Sequence, residues 1–206
     1  MENRPQLTRR ELLTYLVPAA GACFAMSASA ETMEARLGSG LIHVSAPRLH
    51  FITGKPLERL RNGAPVPFAM QLALSTDRWV TIAQRDIERF VFSYDVWEEK
   101  FRVSKLGSPR KVISHLTAPA AETWCVDELT VPPAGLSERQ PFWLRLEVRA
   151  ETPGDDTALL TEEGVSLSRL VEFFSRRTRT DQTRWVTEAG PFRLADLSRP
   201  GRGVAQ

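Results

Sequence analysis

The chain has 206 residues, and its 27 lysine and arginine residues against 25 aspartate and glutamate residues give a formal net charge of +2. This near-neutral balance disfavours a dedicated nucleic-acid-binding protein, which needs a strongly basic surface. The only cysteines are Cys23 and Cys125. A network of disulfides therefore cannot hold the fold together, and a hydrophobic core has to do so.

The first thirty residues have the three parts of an export signal. Arg9 and Arg10 stand directly before an apolar run over 12–26, and Ala28 and Ala30 frame a small-residue cleavage site. A charged start, an apolar middle and a small-residue end are typical of a secretory leader. Paired arginines favour the twin-arginine export route. We therefore predict a cleavable signal peptide over 1–30 and a periplasmic or extracellular protein.

Three alternatives for this segment stay open. The ordinary Sec route also accepts leaders with two arginines. Residues 1–30 could be retained as a membrane anchor, and Cys23 could be a lipoprotein attachment site, although Ala20 stands where leucine is usual. Cleavage after Ala30 would leave 176 residues, which suits one domain by length.

The segment after the leader is small and polar, and we expect residues 31–40 to be a mobile lead-in. Apolar residues over 41–45 and 48–52 predict two short strands separated by Pro47. Residues 54–63 predict one or two helical turns, because proline suits the first turn and Asn-Gly suits the exit.

Alternating apolar residues predict most of the remaining strands. The pattern is clear over 68–74 and over 142–150, and a shorter strand is predicted over 79–82. Residues 89–106 predict a β-hairpin with a loop of four or five residues. Residues 185–187 and 191–194 predict a last pair of strands.

Two segments have helical periodicity instead. Residues 117–129 predict a helix whose Trp124 and Cys125 dock on a sheet. Residues 166–177 predict a second helix with apolar residues at helical spacing. About seven short strands separated by turn residues are typical of an immunoglobulin-like antiparallel β-sandwich. We predict a mainly β protein with a single domain over 41–197, one or two accessory helices and a flexible tail over 198–206.

The order of these landmarks resembles a bacterial envelope family. The landmarks are the run 63–68 before a strand, Trp79, the segments 92–95 and 101–103, the Trp124 helix, the strand 144–148, Trp185 and the run 190–192. They resemble the family catalogued as domain of unknown function number 4390 over about residues 41–194. That family has no established activity, cofactor or catalytic residue. The resemblance therefore implies an exported, non-catalytic β-sandwich-like domain, with a longer insert after Glu151 than the family pattern has.

Candidate catalytic and metal-binding residues are few. Cys125 and His115 are the only pair that could form a thiol nucleophile with a base, but the apolar surroundings of Cys125 favour an inert, buried cysteine. His43 and His50 lie seven residues apart without other ligands at the usual spacing, so we expect no metal site. A loose acidic group is predicted to be a solvated rim of the hairpin: Asp86, Glu88, Asp95, Glu98 and Glu99.

Two surfaces are candidates for interaction. Trp97 falls in the predicted hairpin turn between Tyr94 and Phe101, where an exposed aromatic side chain could bind a partner. Arg176, Arg177, Arg179 and Arg184 gather at and after the carboxyl end of the second helix and could contact anionic lipid headgroups. The alternative for these arginines is a favourable interaction with the negative end of the helix dipole, which we prefer.

These patterns favour an exported envelope protein that is not an enzyme and needs no cofactor. We expect a non-catalytic protein-interaction module whose partner is another envelope protein. The alternative is a carrier that holds an apolar small ligand or a lipid between the Trp124 helix and the sheet. A hydrolase is the least expected function, because no set of nucleophile, base and orienting group is visible.

Overall fold

The structure is a computed structural model that describes residues 33–133, 135–151, 160–161, 164–165, 171, 174 and 183–198. Several sequence predictions lie outside the described residues. These are the export signal with Arg9, Arg10, Ala28 and Ala30, the arginines Arg176, Arg177 and Arg179, most of the helix over 166–177, and the tail beyond residue 198. Val171 and Phe174, within that predicted helix, are both helical.

The described chain is mainly antiparallel β-structure with three short helices. The helices are α1 (Gly54–Arg61), α2 (Ala118–Asp127) and α3 (Leu194–Leu197). The strands are β1 (Glu34–Gly38), β2 (Leu41–Ser45), β3 (Val66–Ser75), β4 (Gln84–Asp95), β5 (Lys100–Lys105), β6 (Lys111–Leu116), β7 (Thr130–Val131), β8 (Phe142–Ala150), β9 (Leu160–Thr161), β10 (Gly164–Val165) and β11 (Arg184–Phe192).

Two sheets share one hydrophobic core. The larger has six strands in the order β11-β8-β3-β4-β5-β6, and the smaller has three in the order β1-β2-β7. Ile42 and Val131 of the smaller sheet belong to the same buried cluster as Phe68 and Leu146 of the larger one. The predicted mainly β sandwich is confirmed. β9 and β10 form a separate two-stranded ribbon.

The central strand β3 explains why the large sheet is stable. β3 pairs antiparallel with β4 on one side and with β8 on the other, and all ten of its residues are buried. Phe68, Met70, Leu72 and Leu74 enter the shared core. The opposite face is also covered, since Val171 and Phe174 pack against Ala69 and Ile87. The predicted alternation is correct for the strand, but both faces are buried.

Aromatic rings fill the middle of the core. Phe51 meets Phe68 and Phe92 edge-on, with ring centroids 5.2 and 5.9 Å apart, and Phe68 meets Phe92 at 5.0 Å. Such pairs contribute about 0.5–1.5 kcal/mol each beyond the burial of their area. On the sheet side of α2, Trp124 meets Phe90 edge-on at 5.9 Å.

The hairpin and the first helix are confirmed. β4 and β5 are joined by the four residues 96–99 and pair from Asp95↔Lys100 to Phe90↔Lys105. α1 begins at Gly54 and has Pro56 buried in its first turn.

Three strand predictions are wrong or incomplete. Residues 48–52 form no strand, because the backbone N–H groups of Phe51 and Ile52 donate to the Glu122 carboxylate on α2, at 2.7 and 2.8 Å, instead of to a strand. Residues 79–82 are a loop. The last two strands are one continuous strand, β11, with a bulge between Ala189 and Phe192.

Five further strands were not predicted, namely β1, β6 and the two-residue strands β7, β9 and β10. The expected mobile lead-in over 31–40 contains β1, which pairs with β2 from Glu34↔Ser45 to Gly38↔Leu41, so that expectation is wrong for those residues. β6 pairs with β5 at the edge of the large sheet. Within the described ranges, none of the helices has the length and apolarity needed to span a bilayer.

Candidate functional site

The loop between β4 and β5 holds an aromatic side chain in a defined position. The Asp95 Oδ1 atom accepts hydrogen bonds from the backbone N–H groups of Trp97 and Glu98, at 2.9 and 3.1 Å. This arrangement is an Asx turn, which fixes the backbone through a short polar side chain. Glu99 closes the loop in the left-handed region, with φ 53°. The position of Trp97 is therefore set by the turn rather than by packing.

Trp97 projects into solvent. Its exposed fraction is 92%, and that of the neighbouring Val96 is 51%. Tryptophan is highly buried on average in folded proteins, and it is enriched among the residues that dominate binding energy at protein interfaces. An indole presented in this way contributes little buried area to the described fold, so Trp97 is the candidate contact residue of this hairpin.

A groove of about 330 Å³ lies at the same end of the hairpin. The rings of Tyr94 and Phe101 line it with their centroids 4.9 Å apart. Its other lining residues are polar or charged: Ser93, Asp95, Glu98, Lys100, Arg102, Ser114 and His115. The structure thus brings the predicted Tyr94, Trp97 and Phe101 to one end of the hairpin, although Phe101 is buried and also packs in the core. We call Tyr94, Asp95, Val96, Trp97, Glu98 and His115 the hairpin surface.

His115 joins this surface from the neighbouring strand. Its backbone lies in the left-handed region, with φ 62°, at a bulge where β6 has one more residue than β5. Bulges re-aim side chains at sheet edges. Here the Nε2 atom of His115 lies 3.1 Å from the Glu98 carboxylate, and both side chains are exposed.

Cys125 does not take part in this site. It lies fully buried on α2, and desolvation raises the pKa of its thiol well above the usual range, an effect that the nearby Glu128 and Glu122 carboxylates add to. A nucleophile needs the thiolate. His115 therefore lines an open groove, whereas Cys125 is an inert core residue.

The other two histidines are separated. His43 Nε2 lies 3.2 Å from the Gly38 carbonyl within the β1–β2 hairpin, and His50 Nδ1 lies 3.0 Å from Glu122 Oε2 on α2. Among the residues that the structure describes, no three histidine, cysteine, aspartate or glutamate side chains are grouped to hold a metal ion.

The predicted acidic rim divides into two groups. Asp95, Glu98 and Glu99 are exposed in the turn. Asp86 and Glu88 are partly buried, and desolvation raises the pKa of both carboxyls. The prediction of a solvated rim is wrong for these two, because Asp86 accepts from the Thr130 N–H at 2.8 Å and Glu88 pairs with the ammonium of the buried Lys105 at 2.9 Å.

A second loop with a tryptophan was not predicted from the sequence. Trp79, with φ 78°, follows Arg78, with φ 54°, in the loop between β3 and β4. The Trp79 ring stacks on the Arg145 guanidinium at 4.1 Å, and its Nε1–H donates to Glu188 at 3.0 Å. Glu188 is 109 residues away along the chain, so no local pattern could have indicated this contact.

Buried ion pairs support the outer face of the large sheet. Arg89 donates to both carboxylate oxygens of Glu151, at 2.8 and 2.6 Å. Glu147 accepts from Arg149 and, at 2.7 and 2.9 Å, from Arg184. Charged residues are almost never fully buried unless they are paired, and sequence periodicity does not identify such partners.

Comparison with known proteins places this site in no established class. No protein-family model, no curated protein and no solved structure matches the chain. The resemblance to domain of unknown function 4390 stays a prediction.

Proposed function

We propose that this chain is an exported envelope protein that works as a non-catalytic protein-interaction module, with the hairpin surface as its contact site. The observation that supports the proposal most directly is the 92% exposed indole of Trp97. A tryptophan at the tip of a hydrogen-bonded turn, beside a groove with polar walls, has the composition of an interface anchor with a polar rim.

The fixed loop strengthens this proposal. Association costs free energy for every side chain and loop that has to become ordered. Because Asp95 already holds the backbone of Trp97 and Glu98, a partner would meet a preformed surface. A loop that served only to connect β4 and β5 would not need a large exposed aromatic residue.

The carrier alternative receives less support. A carrier would need an apolar cavity between α2 and the large sheet, where Trp124 packs on Phe90 and Ala121 and Cys125 are completely buried. A hollow near this helix, between Pro47 and Val126, measures about 110 Å³. Ligand pockets are typically about 300–1,000 Å³, so this hollow is too small for a lipid.

Crosslinking in living cells tests the proposal. The substitution Trp97→p-benzoylphenylalanine places a photoreactive group at the tip of the hairpin, and Val80→p-benzoylphenylalanine is the matched control, since Val80 is 86% exposed in the β3–β4 loop. We expect irradiation to give a discrete protein adduct from position 97 and none from position 80. Adducts of equal yield from both positions, or none from position 97, would contradict the proposal.

A further inference from the structure

The strand β6, which borders the hairpin surface, is an open edge. It pairs with β5 and stands last in the six-stranded sheet, and no other described strand pairs with it. An unpaired edge presents a row of backbone N–H and C=O groups to which another strand can bind. Four of its six residues are exposed: Lys111, Val112, Ser114 and His115.

Apolar side chains stand at both ends of this edge. At the carboxyl end, His115 of β6 contacts Glu98 of the loop that carries Val96 and Trp97. At the amino end, Val112 is 50% exposed. Val96, Trp97 and Val112 are three of the five large apolar side chains that are exposed among the described residues, so the exposed apolar area is concentrated along this edge.

The charges at the two ends are opposite. At the carboxyl end of β6, Asp95, Glu98 and Glu99 lie in or beside the loop 96–99, and the bases Lys100 and Arg102 follow on β5. Arg110 and Lys111 lie at its amino end, where Lys111 also contacts Glu128 at 2.7 Å. Arg110 is exposed. The edge is therefore acidic with a tryptophan at one end and basic with a valine at the other.

We propose that the partner of this edge is a second copy of the chain, joined by antiparallel pairing of β6 with β6 about a two-fold axis. This inference rests on the proposed function, because it names the partner of the same surface. In a two-fold contact the same patch serves both subunits and has to complement itself. In antiparallel pairing, the acidic end of each β6 strand lies beside the basic end of the other. Each Trp97 then lies beside Val112 of the second copy.

The bulge at Ser114 and His115 defines what holds the dimer together. It leaves only Lys111 to Ile113 in regular register with β5, so the backbone pairing between copies is short. Side chains at the two ends therefore supply most of the binding energy. Trp97 is the anchor. The groove of about 330 Å³ beside it is a concave surface that can receive a protruding side chain of the second copy.

Sedimentation velocity of the protein isolated from the envelope of producing cells, over a series of concentrations, tests this proposal. We expect a reversible dimer. Trp97 occurs twice in the dimer, and the loss of a hot-spot side chain weakens binding about thirtyfold at each of the two contacts. Trp97→Ala should therefore raise the Kd of the dimer about a thousandfold. The control Val80→Ala, in the β3–β4 loop, should leave Kd unchanged.

A charge exchange gives a second test that does not depend on an apolar residue. Glu99→Lys and Arg110→Glu should each weaken the dimer, and the double variant should recover it, because the two positions face each other across the axis. Circular dichroism verifies that each variant is folded. A monomer at every concentration, or a dimer that Trp97→Ala leaves intact, would overturn the inference. A monomer that still gives a crosslinked adduct to a different protein from position 97 would overturn the dimer alone and leave the proposed function standing.

Discussion

The buried pair of Arg89 and Glu151 allows a strong test of how the large sheet is stabilised. The exposed fractions of the two side chains are 2% and 0%. Replacing Glu151 by glutamine removes the negative charge and leaves the guanidinium of Arg89 enclosed. Breaking a buried pair in this way costs about 3–5 kcal/mol, because the guanidinium loses its carboxylate partner in the interior. For a domain of this size the free energy of unfolding is about 5–15 kcal/mol in total.

Urea unfolding followed by circular dichroism measures this loss. With an m value of about 2 kcal/mol per molar urea, the midpoint of Glu151→Gln should fall by about 1.5–2.5 M. The matched control is Glu188→Gln, which breaks the ion pair of Arg145 with Glu188, where the side chains are 28% and 45% exposed. Exposed pairs contribute about 0–1 kcal/mol, so this midpoint should move by no more than about 0.5 M.

A double replacement separates the cost of breaking this ion pair from the net contribution of the pair to stability. Arg89→Met combined with Glu151→Leu removes both charges and keeps apolar volume, and such exchanges are often neutral or stabilising. We expect the double variant to recover most of the stability that Glu151→Gln loses. Equal midpoints for Glu151→Gln and Glu188→Gln would refute the reasoning, because they would mean that losing the buried Glu151 carboxylate costs no more than losing an exposed one.

Three more predictions concern the polar groups inside the fold. Desolvation disfavours ionisation of Glu147, but hydrogen bonds from Arg184 and Arg149 outweigh it and lower the pKa of this carboxyl. The ionised Glu147 therefore stabilises the fold at pH values above its unfolded pKa of about 4.3. This stabilisation is lost as the pH falls through the lower pKa of the folded state. Glu147→Gln should accordingly flatten the fall in urea midpoint in this acid range, and an unchanged slope would contradict it. Glu122→Gln should destabilise the protein by about 1–3 kcal/mol, since an amide oxygen accepts more weakly than a carboxylate from the N–H groups of Phe51 and Ile52; a thermal melt measures the loss, and an unchanged melting temperature would refute it. Cys125 should resist alkylation in the native protein and react fully in denaturant, which mass spectrometry detects; rapid native labelling would show that the thiol is accessible.

The elements that could be predicted from the sequence are those whose signal is local. Alternation along β3 and β8 is a property of neighbouring residues, and so are the turn between β4 and β5 and the helical spacing in α2. β6 gave no such signal. Its residues are exposed on both faces apart from Ile113 and Leu116, because an edge strand with a bulge does not need to alternate.

The contacts that could not be predicted are polar and distant in sequence. Phe51 and Ile52 have the composition of a strand, but a carboxylate 70 residues further along the chain takes their N–H groups. Arg89 and Glu151 are 62 residues apart. Periodicity shows which side chains avoid water, but it cannot show which charged groups meet after burial, because that depends on the order in which the strands assemble.

The two tryptophan loops at the ends of β4 show the same limit of prediction from the sequence. Asp77-Arg78-Trp79 and Asp95-Val96-Trp97 have the same spacing, and both lie in loops at the two ends of β4. In both loops an aspartate Oδ1 atom accepts from the backbone and fixes the turn. The sequence predicts Trp79 in a strand and Trp97 in a turn, whereas the structure places both tryptophans in loops.

Their surroundings in the fold distinguish them. The Trp79 ring is stacked on Arg145 and its Nε1–H is bound by Glu188, so this tryptophan is used within the chain. Trp97 makes no ring contact and no side-chain hydrogen bond with any described residue, and its exposed fraction is 92%. Two turns of the same design thus hold one indole against the protein and present the other to solvent. Since a large exposed aromatic surface is unfavourable in water, covering the Trp97 indole at the hairpin end of β4 would favour the proposed contact.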